Sequence, residues 1–268
     1  MSGMDKVFRN LHAGPDLLIL PNAWDAGSAR VVEAAGARAI ATSSAAVAWS
    51  HGYADGQFVP FAKVVATIEE IARLVRVPVS ADIESGYAAT AAEIEEPIAR
   101  VVSAGAVGVN LEDGTASPEI LGAKIERAKL AARRAGIDLW VNARIDVYIR
   151  KLQEGEAAFA ETIRRAALYK AAGADSVFVP ALVDSATIGR MVPEVGLPFN
   201  ALAWTGLPGA EQLKALGVRR LSAGGGLARM AFDRTYAAAQ AFLRDGRVET
   251  PLTPAITVPN MNELMNRD

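Results

Sequence analysis

Eight short β-rich runs recur along the chain, at 17–20, 38–42, 77–82, 107–112, 139–144, 176–180, 199–203 and 218–222, with helix-spaced segments between them. The helical spacing is clearest after Pro60, where Val64, Ile68, Ile71 and Val75 fall on one face and Glu69, Glu70 and Arg73 on another. Pro60 suits the first turn of that helix. Gly36, Gly105 and Gly173, with Gly136 and Gly217 in similar positions, lie between a helical segment and a strand, where a left-handed C-cap ends the helix and turns the chain back. Eight such alternations over roughly 240 residues predict an α/β fold, a (β/α)8 barrel of TIM type, as one domain over residues 1–245. A doubly wound sheet would carry Gly-x-Gly-x-x-Gly after its first strand, and here that place reads Pro21-Asn22-Ala23-Trp24-Asp25-Ala26. The apolar run Ser176-Val177-Phe178-Val179 suits a parallel strand buried on both faces. The remaining segment, 246–268, is spaced by Pro251, Pro254 and Pro259 and reads as a frayed terminus or as a helical extension docking on a neighbour.

Charge and cysteine content remove several function classes. The 28 Lys and Arg against 30 Asp and Glu give a formal charge of −2, with no basic excess to neutralise a phosphate backbone, so nucleic acid is not an expected partner. The absence of Cys closes thiolate metal sites and cysteine nucleophiles together, and suits a reducing cytosol. Residues 1–10 carry Asp5, Lys6 and Arg9 rather than the apolar run of a signal peptide, and no stretch reads as a membrane span. A soluble, cytoplasmic protein is expected.

In a (β/α)8 barrel the catalytic groups stand where strands end, and those positions are polar here. The second run ends in Thr42-Ser43-Ser44, the third in Asp82-Ile83-Glu84-Ser85-Gly86-Tyr87, the fourth in Glu112-Asp113-Gly114 and the fifth in Asn142-Ala143-Arg144-Ile145-Asp146; the second loop adds His51 and Asp55. Carboxylates converging on one rim need a cation or arginines to compensate them, and oxygen ligands with no Cys and few His point to Mg2+ or Mn2+ rather than zinc. The alternative is that each carboxylate caps a helix. Arg144 offers a bidentate clamp for a substrate carboxylate, against a structural ion pair with Glu112 or Asp146. Gly224-Gly225-Gly226 stands where barrels often hold phosphate, with close backbone packing as the alternative. Ser43 or Ser44 with His51 and Asp55 could be drawn as a hydrolytic triad, but no nucleophile elbow surrounds the serines. His12, in the lead-in, is expected at the surface.

The motifs Pro21-Asn22-Ala23-Trp24-Asp25-Ala26-Gly27-Ser28-Ala29, Thr42-Ser43-Ser44, Gly52-Tyr53-Ala54-Asp55-Gly56, Ala81-Asp82-Ile83-Glu84-Ser85-Gly86-Tyr87, Asn110-Leu111-Glu112-Asp113 and Asn142-Ala143-Arg144 occur in this order. On them the chain resembles the isocitrate lyase / phosphoenolpyruvate mutase superfamily, from about Leu18 to Gly246. The resemblance implies a barrel enzyme, usually tetrameric as a dimer of dimers, whose C-terminal helical part is exchanged between subunits. It implies metal binding by Asp82, with Glu84 and Glu112 as companion carboxylates and Asp55 holding the metal's waters. It further implies that Ser43, Ser44 and Ala45 bind the keto-acid end of the substrate and that Arg144 holds a carboxylate. Asp55, Glu112 and Arg144 are thus the expected catalytic residues.

The departures narrow the chemistry. Where lyases of isocitrate type carry a Lys-Lys-Cys-Gly loop, this chain reads Gly114-Thr115-Ala116-Ser117-Pro118-Glu119 and has no Cys acid. Phosphonopyruvate enzymes carry a lysine after the Glu-Asp pair and a histidine after the sixth strand; here Gly114 and Pro180 stand there. The expected function is a Mg2+-dependent lyase cleaving a C–C bond of a small keto or hydroxy carboxylic acid through a pyruvate-like enolate. C–P chemistry, oxaloacetate-type hydrolysis and non-catalytic keto-acid binding are the alternatives.

Overall fold

The computed structural model describes residues 3–246 and 260–266. Helix α1 (Met4–Ala13) precedes β1 (Leu18–Leu20), β2 (Asn22–Ala23) and α2 (Ala26–Ala34); then follow β3 (Ile40–Thr42), α3 (Ser44–Ser50) and α4 (Phe61–Leu74). The middle of the chain comprises β4 (Val79–Asp82), α5 (Glu95–Ser103), β5 (Ala106–Glu112), α6 (Pro118–Arg134), β6 (Trp140–Arg144) and α7 (Gly155–Ala171). It closes with β7 (Ser176–Phe178), α8 (Ser185–Val195), β8 (Phe199–Leu202), α9 (Ala210–Ala215), β9 (Arg220–Ser222), α10 (Gly226–Asp245) and α11 (Met261–Met265). The nine strands are parallel and run β1-β9-β8-β7-β6-β5-β4-β3-β2. All eight expected strands are present, the first as two pieces. Proline has no N–H for the ladder, so the strand breaks at Pro21: β1 pairs with β9 and β2 with β3, which closes the ring.

Alternation along the strands sorts the side chains. Val109, Leu111, Val141, Ala143 and Val177 belong to the main apolar core shared with the helices. The opposite parity faces the barrel axis and is largely polar: Asn142 Nδ2 donates to Asn110 Oδ1 at 2.8 Å, Ser176 Oγ to Asn142 Oδ1 at 2.7 Å, and Ser222 Oγ to Asn200 Oδ1 at 3.1 Å. That parity brings Asp82, Glu112, Arg144, Phe178 and Leu202 to the last inward positions of successive strands. On α4, Val64, Ile68 and Ile71 are buried as expected, with Pro60 at the cap just before the first turn. Gly36, Gly105, Gly136, Gly173 and Gly217 all take the left-handed conformation.

The expectation of a surface His12 is overturned. Helix α1 packs on β5 and β6, with Phe8 set against Gly108, and covers the N-terminal end of the barrel. His12 is therefore 2% exposed, stacked on Trp140 with ring centroids 4.1 Å apart, its Nδ1 2.9 Å from the Phe8 carbonyl oxygen. Burial, with the nearby Arg220 charge second, pushes its pKa from 6.5 down to about 3. A lowered folded-state pKa means that the unfolded chain takes up the proton first, so stability is lost as pH falls from 6.5 towards 3. At about 1.4 kcal/mol per pH unit the loss reaches about 2 kcal/mol near pH 5. In thermal melts against pH, His12→Phe should flatten the acid limb; parallel curves for the two proteins would refute this.

Helix α10 leaves the barrel almost at once. Ala228 is buried, but Met230, Phe232, Tyr236, Phe242 and Leu243 are exposed. Residues 247–259, most of the expected tail, lie outside the described residues. Beyond them α11 lies on α2, where Arg30 Nε donates to the Leu264 carbonyl at 2.8 Å. Among the described residues no helix is long and apolar enough to cross a membrane.

Candidate active site

Asp82 ends β4 and is held from two sides: Oδ2 accepts the Ser44 amide at 3.1 Å and Oδ1 the Glu84 amide at 3.4 Å. The chain then folds back sharply, because Glu84, Gly86 and Tyr87 all have positive φ. A Cβ at Gly86 would lie 2.6 Å from Ile94 Cδ1, so only glycine fits this bend. The turn aims Glu84 at the second loop, where Oε1 accepts from the Gln57 amide at 2.9 Å and from Tyr87 Oη at 3.3 Å. Lys124, buried on α6, fixes the loop from behind by donating to the Ser85 and Ala88 carbonyls at 2.8 and 2.7 Å.

Glu112 ends β5 opposite Arg144 on β6, and the two are paired at 2.6 Å. Arg144 also donates through Nε to Asp146 at 2.6 Å, and Arg150 reaches the same fully buried Asp146 at 2.8 Å. The structural ion pair considered for Arg144 is thus real, on both candidate partners. It coexists with exposure of Arg144 to a cavity of about 510 Å3, whose inner end is formed by Asp82, Arg144 and the Ser43–Ser44–Ala45 turn. Asp113 turns away from it: Oδ2 accepts from Arg165 at 2.9 Å and from Tyr169 Oη at 2.7 Å, a buried structural network.

Burial raises the carboxyl pKa values here. Glu84 is pushed up to about 7 by burial and then by Asp82; Glu112 reaches about 8 through burial, which outweighs the opposing Arg144 charge; Asp82 is raised for the same reason. Three carboxylates that resist ionisation together are a site short of positive charge. Among the described residues, no three acidic or imidazole side chains enclose a point closely enough to ligate an ion. The all-oxygen donors suit a hard divalent cation such as Mg2+, which binds through few protein ligands because it keeps much of its hydration shell; Asp82 and Asp55 are the carboxylates on the cavity wall.

The family model described as phosphoenolpyruvate phosphomutase matches residues 8–243. The chain belongs to this family. It is 36% identical over 221 residues to an uncharacterised Mycobacterium tuberculosis protein, with 81% of each chain covered. A Burkholderia cenocepacia crystal structure, described provisionally as a phosphonomutase, is 38% identical with TM-score 0.85, over 89% of this chain and all of that one. An oxaloacetate decarboxylase of Pseudomonas fluorescens is 25% identical over 272 residues, covering 96% of this chain and 93% of its own. The relatives place this family member in the isocitrate lyase / phosphoenolpyruvate mutase superfamily, whose members include lyases, mutases and a decarboxylase.

Within this family member the expected residues divide. Asp82, Arg144, Asp55, Ser43, Ser44 and Ala45 line the cavity, whereas Glu84 and Glu112 are not among its lining residues and meet it through the partners they bond, the Asp82 carboxylate and Arg144. The Ser44 amide is already given to Asp82, and Ser43 Oγ accepts from Ala46 N as the cap of α3, so Ala45 is the member of the turn least committed to the protein. The triad reading fails on geometry, because His51 Nε2 pairs with Thr67 Oγ1 at 3.0 Å. The glycine run lines the cavity too, at Gly224, Gly225 and Gly226. Its start is committed to the protein: the Gly224 and Ala223 amides donate to Asn22 Oδ1 at 2.8 and 2.9 Å, and a Cβ at Gly224 would meet the Leu202 side chain at 2.9 Å, the close packing considered as the alternative to phosphate binding. Sequence reasoning missed the apolar wall of Ile149, Phe178, Pro180 and Leu202, and Trp49, Trp204 and Arg229 at the mouth. Phe178 and Leu202 end strands with inward parity, as Asp82 does, but an apolar residue at such a position reads as core from sequence.

Proposed function

We propose that this family member is a divalent-metal-dependent lyase that releases a pyruvate-type enolate from a small keto carboxylic acid, and that the bond cleaved is to a carboxylate on the carbon beside the keto group. The observation that carries this reading is the make-up of the cavity: Asp82 and Arg144 at strand ends, with the apolar Phe178 and Leu202 on the two strands that follow Arg144 round the ring. Asp55, Asp82, Arg144 and Arg229 are the ionisable residues of the lining. Retro-aldol cleavage needs a base at the substrate hydroxyl; in this reading Asp55 and Asp82, the two carboxylates of the lining, serve the metal, and the apolar wall offers no other. Decarboxylation asks less: the C–C electron pair moves onto the keto group, CO2 departs towards Phe178 and Leu202, and the carbanionic carbon then takes a proton from water. Apolar surroundings favour loss of charge from the departing carboxylate.

Arg144 holds the carboxylate that is retained, and Ala45 with Ser43 faces the keto oxygen. Asp82 would hold Mg2+ or Mn2+, and Asp55, Glu84 and Glu112 would add negative charge around it. When bound, the metal supplies positive charge against the enolate oxygen. The oxaloacetate decarboxylase among the relatives supports the reading. The test is Mg2+-dependent CO2 release from oxaloacetate together with deuterium exchange at the pyruvate methyl group. Exchange and release should both vanish in excess chelator; neither occurring with metal present would leave a keto-acid binder and reject the lyase.

A cytoplasmic homo-oligomer, a dimer of dimers, belongs to the same reading. The exposed Met230, Phe232, Tyr236, Phe242 and Leu243 along α10 support it, since a projecting helix with that much apolar surface marks an interface. The chain should sediment as an oligomer at micromolar concentration, and Phe242→Glu with Leu243→Glu should shift it towards monomer. A monomeric wild type would refute this.

A further inference from the structure

Resting on the enolate reading above, we infer that the substrate bears an apolar substituent, a short alkyl chain, on the carbon next to its keto group, so that the preferred class is 3-alkyl-2-oxo diacids rather than oxaloacetate itself. Three observations carry it. The cavity of about 510 Å3 lies in the range that holds drug-sized ligands, and a four-carbon diacid fills only part of it. The order of the strands then says what lies beside the bound acid. Phe178 pairs with Arg144 in register, and Leu202 ends β8, the next strand round the ring; Ile149 and Pro180 complete that wall. A 2-oxo diacid held by its C1 carboxylate at Arg144, with its keto group towards Ala45 and Ser43, therefore presents C3, which carries both the departing carboxylate and any substituent, to this hydrocarbon wall. Finally, the chain does not fill this space itself. The turn after β5 is short, α6 starting at Pro118, and none of residues 113–117 is among the residues lining the cavity. Thr205 and Arg229 lie among the lining residues beyond the wall, beside Trp204 and Trp49.

Oxamate is a pyruvate-shaped anion in which nitrogen stands for the methyl carbon, so N-alkyl oxamates place an alkyl chain where the inference puts it without requiring turnover. Calorimetric titration with Mg2+ present should show affinity rising about fourfold per methylene from oxamate through N-ethyl to N-butyl oxamate. Leu202→Asn should cut the gain from the butyl group several-fold more than it changes oxamate binding. In turnover, kcat/KM for 3-ethyl-oxaloacetate should exceed that for oxaloacetate by about tenfold or more. N-butyl oxamate binding no tighter than oxamate overturns the inference, whatever the kinetics. Tighter alkyl oxamates without any CO2 release uphold the apolar subsite and overturn the decarboxylase reading alone. Failure of every oxamate to bind overturns both.

Discussion

Asp82→Asn should lower CO2 release by on the order of a hundredfold or more while leaving the fold intact. The side chain keeps its shape and an oxygen for the Ser44 amide now at 3.1 Å, so the start of α3 should stay in place. What is lost is the formal charge on the one proposed ligand that lines the cavity. A metal ion opposite a developing enolate contributes several kcal/mol, and about 3 kcal/mol corresponds to roughly 150-fold in rate. Removing a charge from a half-buried position beside Glu84 and Glu112 relieves repulsion, so the variant should melt at or above the wild-type temperature in metal-free buffer. Added Mg2+ should then raise the melting temperature of wild type but not of the variant, because a ligand stabilises only the state that binds it. Turnover within a few-fold of wild type, or a shared Mg2+ stabilisation, would remove Asp82 from the metal site.

The barrel was legible because each of its signals is local. Left-handed glycines at Gly36, Gly105, Gly136, Gly173 and Gly217 are dictated by the helix ends they terminate, and polar side chains at the ends of apolar strands stand out on period alone. Asp82, Glu112 and Arg144 were found that way. Phe178 and Leu202 occupy equivalent inward positions, but an apolar residue in a strand reads as core, and nothing local distinguishes a cavity wall from a packed interior. His12 failed for the opposite reason. Its burial depends on where α1 comes to rest, across the end of the barrel and against Trp140, more than a hundred residues away. Asp113 and Asp146 illustrate a third case: as carboxylates at strand ends they look like Glu112, and only the tertiary partners Arg165, Tyr169, Arg144 and Arg150 show that they anchor the site.

Arg144→Lys should weaken oxalate, with Mg2+ present, by roughly tenfold to a hundredfold. The guanidinium presents a planar fork, and the structure shows it spending part of that fork on Glu112 at 2.6 Å and Asp146 at 2.6 Å while lining the cavity. Lysine retains the charge but has a single shorter-reaching ammonium. It cannot serve two protein carboxylates and a ligand in one plane. Losing a charge-assisted hydrogen bond costs about 1.5–3 kcal/mol, which sets the range of the affinity loss. The same substitution should also lower the melting temperature, since Asp146 is fully buried and loses part of its compensation. Arg150 supplies the control. It donates to Asp146 at 2.8 Å and comes within 4.0 Å of Glu112, yet it is not part of the cavity lining. Arg150→Lys should therefore destabilise the fold through the same buried carboxylate and leave oxalate affinity near wild type. If instead Arg144→Lys binds oxalate like wild type, or both variants lose affinity only in proportion to their loss of stability, Arg144 is an anchor for Asp146 and not the substrate's carboxylate clamp.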